Sequence, residues 1–507
     1  VSDEEPQTRR SARQRRDSTA SRSEPATQVL GGTGGSDGRP PRGLAATIAR
    51  HPNAWMFSAL GVIFLLLGTA AVFSGVAVGS VKPVALVESD TPAPIPPRDV
   101  PLEPAAATAL RTCSINTAAK DKRLLTFEGS VINVTTGEVL FDRNADKPAS
   151  PASVLKVFTA AAALMTIGPD FRMTTKVVEG STPGSIVLVG GGDPTLSALP
   201  PGSESVYKGA PKLADLAAQT TAAWEEAHPG EQITSVILDA SYWDPSDKWD
   251  STWQRSEQTI GYHSEVTALM VDGDRANPKA MTSPRSTDPI GRAGAAFIAA
   301  LNLGYPVEVS KGTALPGAAK LAEVKSQPIK TLIGQMLPYS DNTLGEMIAR
   351  VVSKEWGGGG TAASLNSIFN STIGNLGLDT TGMFVRDGSG LSAKNVIPPL
   401  LVAQLMAKVA TGEQGLGPVK SAMPVAGVSG SLATRFTGGN AVAKGHVTAK
   451  PGWINSSRTL AGWTKADDGS VLAFAFYALG PVKSEATIAL DTLATSIYKC
   501  GNNLSNN

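Results

Sequence analysis

The stretch SPASVLKVFTAAAALMTIGP, residues 150–169, constrains the fold more than any other part of the chain. Ser150 is a natural N-cap, Pro151 suits the first helical position and Gly168-Pro169 supplies a stop, so the spacing predicts a helix over 151–167. Val154, Leu155, Val157, Phe158, Ala160 to Ala163, Leu164 and Met165 leave it no polar side. A helix apolar all round belongs in the middle of a domain. Lys156 is the exception: a lysine there loses solvation and its pKa falls, so it either snorkels to a surface or is kept for chemistry. Ser153 lies three residues earlier on the same face, in the first turn, where backbone N–H groups are unpaired. A serine hydroxyl beside a lysine that can become neutral is an activated nucleophile, and the serine's own N–H can help to hold an oxyanion. Ser-x-x-Lys alone is a weak signal, because it recurs by chance in long chains.

The 507 residues, 42% of them hydrophobic, are enough for two or more domains, and a net charge of +1 points to no nucleic acid or other strongly charged partner. Residues 1–53 hold nine arginines, no lysine and six acids among Ser, Thr, Gly and Pro, a composition that reads as a disordered arm. Residues 54–81 carry no charge and are long enough for a membrane-spanning helix. A core helix of that length would show a polar face, and a cleavable signal peptide has a shorter apolar run near the chain start, so an anchor is the expectation. Arg39, Arg42 and Arg50 precede the segment while only Lys82 and Arg98 follow closely, which places the arm in the cytoplasm and everything past residue 82 outside. The prolines of 82–104 make a semi-rigid spacer, able to reach roughly 70 Å at ~3.1 Å per residue. In such a compartment the two cysteines, Cys113 and Cys500, favour a disulfide across the folded module over a metal or catalytic pair.

Two further constellations carry polar groups. The run QPIKTLIGQMLPYSDNTLGEMIARVVSKEW reads as two helices broken at Pro338, with Ser340-Asp341-Asn342 at the junction. Ser340 either caps the second helix or belongs to a trio that presents a proton relay and an amide-binding side chain. Near the C-terminus, HVTAKPGWINSS, RTLAGWTK and SVLAFAFYAL, with a turn at Asp467-Asp468-Gly469 and a helix over about 485–498, predict an antiparallel meander with the helix packed on it. Lys450 falls on the first of those strands, and Pro451-Gly452, taken alone, reads as a turn.

Ser-x-x-Lys, Ser-x-Asn and Lys-x-Gly, in this order, resemble the motifs of the serine penicillin-binding and β-lactamase superfamily. The surroundings PASVLKVFTAAAAL, LVGGGDPTLS, SDNTLGEMIAR, VRDGSGLS, VAGVSGSLATRF and GHVTAKPG are similar to the D-alanyl-D-alanine carboxypeptidase/endopeptidase family of low-molecular-mass penicillin-binding proteins, in its branch with a large insertion. The resemblance covers about 110–500 and implies an α/β (α+β) fold: an antiparallel sheet flanked by helices, a helical subdomain, and one or two smaller inserted β-rich domains. It divides the outer part into a split catalytic domain, 105–175 with 315–502, and an insertion, 176–314. It implies a bacterial enzyme that acts on peptidoglycan stem peptides ending in D-Ala-D-Ala and is acylated by β-lactams; the expected anchor places it in the bacterial cell membrane, and with no zinc-type His/Cys spacing, dinucleotide fingerprint or nucleotide-binding loop in the sequence no metal or cofactor is expected. Residue by residue, Ser153 is the expected nucleophile. Lys156 is its base, kept neutral by burial and by the charge of Lys450. Ser340 passes a proton to the leaving group, and Asn342 binds the substrate amide. Lys450, with Gly452, meets the terminal carboxylate, and the N–H groups of Ser153 and Trp453 form the oxyanion hole.

At the position of Pro451 the family usually has Thr or Ser, whose hydroxyl hydrogen-bonds the substrate carboxylate. Proline has neither hydroxyl nor N–H, a loss of about 1.5–3 kcal/mol, although an edge strand tolerates it. Pro451 is therefore the one feature favouring a different reading, a non-catalytic relative that only binds cell-wall peptide or partners; the insertion and the anchor fit a β-lactamase poorly. His446 is expected on a strand surface outside any Asp-His-Ser triad, Trp243, Trp249 and Trp253 either facing sugar or peptide or in core packing or as loop anchors, GGGDP in a turn and the glycines of 357–360 in a flexible connector.

Overall fold

A computed structural model describes residues 110–506. The arm 1–53, the segment 54–81 and the spacer 82–104 lie outside them. The expected single-pass localisation in a membrane is corrected here. Among the described residues no helix is long and apolar enough to cross a bilayer: the longest, Leu213–Ala227 and Ala486–Cys500, have 15 residues each, and a span needs about 20.

After a short strand at Cys113–Ser114 and a helical turn at Asn116–Ala119, the described residues form an antiparallel pair, β1 (Thr126–Asn133) and β2 (Val139–Arg143). The chain then makes a single 3-10 turn, Ala152–Val154, and enters α1 (Leu155–Thr166), in which Leu155 through Leu164 are all buried. The expected cap is not made. Ser150 Oγ is buried without a partner and no side chain caps the turn. Ala152 takes a left-handed φ of 46°, so the chain bends sharply before Ser153 and the helix starts later than its pattern suggested.

Strands β3 (Thr174–Glu179), β4 (Ser185–Val189), β5 (Ser235–Asp239), β6 (Glu308–Lys311) and β7 (Lys320–Lys325) form one sheet in the order β6-β5-β4-β3-β7. The pairs β4/β5 and β5/β6 are parallel, which requires crossovers. Helices α2 (Leu213–Ala227) and α3 (Pro289–Leu301) lie in those connections and pack Leu216 and Phe297 with Ile186, Val236 and Leu238 in a separate core.

Helices α4 (Ile329–Tyr339) and α5 (Asn342–Glu355) do not part at Pro338, which fits inside the last turn of α4. Ser340 ends α4 in the left-handed conformation, φ 60° and ψ 40°. Asp341 caps α5, accepting the Leu344 N–H at 3.0 Å, so the Ser340 hydroxyl is not used as a cap. With α6 (Leu365–Gly374) and α7 (Pro399–Thr411), these helices and α1 share one core containing Phe158, Leu332, Met347, Phe369 and Leu405. The glycines of 357–360 are a packed turn: Ser353 Oγ accepts the Gly360 N–H at 3.0 Å and Gly360 O accepts from Arg350 at 3.1 Å.

The last sheet is the meander β8 (Val447–Ile454), β9 (Ser457–Lys465) and β10 (Val471–Leu479). Strand β1 runs beside β10, its neighbour Val134 donating to Val471 O at 2.9 Å. Helix α8 (Ala486–Cys500) packs Leu490, Leu493 and Ile497 with Phe474 and Phe476. The Cys113–Cys500 disulfide, with Cα atoms 5.4 Å apart, joins the entry of the described chain to the end of α8. Strand β8 is an edge. Ala449 N donates to Pro424 O and Val447 O accepts from Ala426 N, both at 2.9 Å, so the odd-numbered backbone groups of β8 point away from β9. By alternation the C=O of residue 451 and both backbone groups of residue 453 face outward as well.

Candidate active site

Ser153 sits in the 3-10 turn and Lys156 in the first turn of α1. The Lys156 ammonium is completely buried and has three acceptors: Ser153 Oγ at 3.0 Å, Asn342 Oδ1 at 2.7 Å, and the carbonyl of Ser389. Lys450, on β8, donates to Ser340 Oγ at 2.8 Å and to Pro451 O at 2.9 Å. Both lysines, both serines and Asn342 thus meet around one cleft of about 600 Å3. Pro451, Gly452 and Trp453 form its sheet-side wall.

Gly452 is held against Ser153. A Cβ there would lie 2.9 Å from Ser153 N and 2.3 Å from Thr459 Oγ1, while Thr459 itself donates to Pro151 O at 2.8 Å. No side chain fits, and the strand can approach the serine only with glycine at this point.

Burial lowers Lys156 to about 8, against the pull of Asp387, Asp341 and Glu346. Lys450 is lowered well below the ordinary lysine value by burial and by repulsion from Lys156 and Arg435. Burial is the largest cause of the depression of both lysines, and the mutual repulsion of the pair opposes charge on both at once. Burial works to raise Asp341, but Arg275, Arg285 and the Leu344 N–H hold it well below the usual carboxylate range.

Sequence reasoning assigned no role to the loop 385–392, which the structure puts behind Lys156. Asp387 Oδ1 accepts the N–H groups of Ser389 and Gly390 at 3.0 and 2.6 Å, and its Oδ2 accepts Trp253 Nε1 at 2.8 Å. Gly390 has φ +80°, and a Cβ on it would come within 2.1 Å of Ala152 O. The Asp-Gly-Ser-Gly run, a turn signal, was the available clue. Trp243 and Trp253 are buried, and Trp249 packs edge-on to Trp253 at 5.5 Å beneath Arg255. His446 is exposed, 4.8 Å from the Tyr498 ring. Among the described residues no cluster of three or more His, Cys, Asp or Glu is placed to hold a metal.

An antiparallel sheet with a terminal helix, set against a helical half whose central buried helix opens on Ser-x-x-Lys, defines the penicillin-binding class of serine peptidases. Within that class the chain belongs to the D-Ala-D-Ala carboxypeptidase 3 (S13) family, whose sequence profile matches residues 112–289 and 274–497. It is 34% identical over 470 residues to carboxypeptidase DacB of Mycolicibacterium smegmatis, covering 89% of this chain and 99% of that one. It is likewise 34% identical over 429 residues to a carboxypeptidase of Mycobacterium tuberculosis, covering 82% and 91%. The fold is similar to the crystal structure of penicillin-binding protein 4 from Haemophilus influenzae, with a TM-score of 0.62 at 19% identity over 74% of this chain and 96% of that one. The protein is a serine-type D-alanyl-D-alanine carboxypeptidase.

Proposed function

We propose that the cleft removes the terminal D-alanine of peptidoglycan stem peptides through an acyl enzyme on Ser153. The observation that carries this is the placement of Ser153 Oγ 3.0 Å from the buried amine of Lys156, in a cleft that also receives Ser340 and Lys450. Neutral Lys156 takes the Ser153 proton as Oγ attacks the carbonyl carbon of the penultimate D-alanine. The N–H groups of Ser153 and Trp453 stabilise the oxyanion; the outward direction of the residue-453 backbone supports this role. The C–N bond then breaks, and the departing amine of D-alanine takes a proton through Ser340, which Lys450 orients. Asn342 holds the substrate amide. Water, deprotonated by Lys156, attacks the ester and frees Ser153 and the shortened peptide.

The same chemistry opens stem cross-links, where the leaving amine belongs to a neighbouring stem, and traps β-lactams as stable acyl enzymes. The catalytic domain is split around an accessory module, expected at 176–314; the separate core of the five-stranded sheet supports a division of this kind, although Ala322 of β7 carries that core past residue 314. The test is labelling with a fluorescent penicillin, mass spectrometry of the adduct, and release of D-alanine from a diacyl-D-Ala-D-Ala peptide. One adduct on Ser153, with label and release both lost in Ser153→Ala, is the expected result. A folded protein that takes no label and releases no D-alanine would instead be a peptide-binding scaffold.

A further inference from the structure

The cleft wall carries more positive charge than its own acids balance. Arg435 and Arg458 both line it beside Lys450, and both reach the same residue: Arg435 Nη2 lies 3.4 Å from Thr487 O, and Arg458 Nη1 lies 3.4 Å from Thr487 Oγ1. Arg435 is paired with Asp491 at 2.6 Å. Arg458 has no ion pair among the described residues; Glu485 acts on it only from a distance, and Arg435 repels it. Its long contact with Thr487 is weak, and its Nε is buried with no hydrogen-bond acceptor.

The sheet register shows what this guanidinium faces. Arg458 is directly opposite Trp453, and its charge lies 5.1 Å from the centre of that ring, a cation–π contact that keeps the side chain along β8. Pro451 is two residues from Trp453, hence on the same face of the sheet and diagonal to Arg458, within reach of a long side chain. Pro451 offers an incoming anion neither hydroxyl nor N–H. Lys450 already donates to Ser340 and to Pro451 O. The donor not yet used at this end of the cleft is Arg458.

We propose that Arg458 binds the terminal carboxylate of the substrate, taking the place of the hydroxyl that Pro451 lacks, with Arg435 held behind it by Asp491. This rests on reading the cleft as a D-Ala-D-Ala site. A guanidinium suits the task because its planar fork can engage both carboxylate oxygens. The leaving D-alanine of a carboxypeptidase substrate carries that carboxylate, so the contact selects free C-termini.

The experiment compares two acyl donors on the purified full chain. One is a diacyl-D-Ala-D-Ala peptide; the other is the matching diacyl-D-alanine thioester of a small neutral thiol, which has no carboxylate. Arg458→Gln should lower kcat/KM on the peptide by about 10- to 100-fold and leave the thioester within about twofold, with Arg458→Lys recovering part of the loss. Equal losses on both donors, with a lowered melting temperature, would make Arg458 a structural residue and overturn the assignment, as would an unchanged rate on the peptide. Wild-type protein that hydrolyses neither donor and takes no acyl group on Ser153 would overturn the proposed function itself. Thioester hydrolysis with no effect of Arg458 on the peptide would overturn only the carboxylate site.

Discussion

Arg275 Nη2 lies 2.6 Å from Asp341 Oδ2, and the two side chains are only 1% and 2% exposed. Tyr207 closes the arrangement: its hydroxyl donates to the same carboxylate oxygen at 2.9 Å and accepts from Arg275 Nη1 at 2.7 Å. Residues 207 and 275 belong to the long stretch between the first and second motifs, whereas Asp341 stands between Ser340 and Asn342. The intervening stretch therefore holds the second motif from behind.

Removing the arginine strands a buried carboxylate. Arg275→Ala should cost about 3–5 kcal/mol in urea unfolding, and it should slow acylation as well, because the cap that places Asn342 shifts with Asp341. Tyr207→Phe removes both hydrogen bonds of the hydroxyl, each to a charged partner, and should cost about 1.5–3 kcal/mol. An Arg275→Ala protein with wild-type stability would show that the pair supports nothing. Asp341 is depressed below its ordinary value, so the stability it contributes is full above about pH 4 and is lost as acid protonates it in the folded state.

Lys156 predicts the pH profile of acylation. In the proposed mechanism it must be neutral to accept the Ser153 proton, and burial lowers it to about 8. The neutral fraction rises about tenfold per pH unit below that value and levels off above it, and the acylation rate should follow. Stopped-flow acylation by a chromogenic β-lactam between pH 6 and 9.5 reads this directly. A rate already flat at pH 6 would mean that another base acts or that the amine is far less basic. The linkage has the matching sign: the unfolded chain binds the Lys156 proton more tightly, so this group favours folding increasingly as pH rises from about 8 to 10.5.

How much of this was legible in the sequence depends on the range of the signal. Ser153 and Lys156 could be read together because a helix brings residues three apart onto one face. The meander 447–479 could be read because alternation and turn residues are local. Asp387 behind Lys156 and Arg275 beside Asp341 were hidden, since nothing periodic links residues 231 and 66 positions apart, and a buried charge leaves no mark on composition. Ser150 misled for a related reason: its cap pattern is local, but the positive φ of Ala152 answers to Gly390 and Gly452, which crowd the same turn from distant parts of the chain.

The disulfide predicts a simple count. Cys113 and Cys500 are the only cysteines of the chain, and they are bonded. A thiol assay on denatured, unreduced protein should find none, and two reactive thiols would exclude the bond. Cys113→Ser should lower stability by at most about 5 kcal/mol, the chain-entropy figure for so long a loop.

Pro451→Thr tests the wall of the cleft together with Arg458. Threonine restores a hydroxyl at the carboxylate end, so turnover of the D-Ala-D-Ala peptide should rise; a new hydrogen bond to a charged group sets a ceiling of about 10- to 100-fold. If Arg458 already engages that carboxylate, the two donors share one acceptor and their effects cannot be independent. The gain from threonine should then be small in the wild-type background and larger in Arg458→Gln, where the carboxylate has lost its main partner. Equal gains in both backgrounds would mean that Arg458 and residue 451 serve different groups. A fall in turnover in both would mean that proline at 451 shapes the strand and does not merely omit a contact. The four-variant cycle, measured as kcat/KM on one peptide, separates these outcomes, because the sign and size of the coupling report whether one anion is held by two side chains.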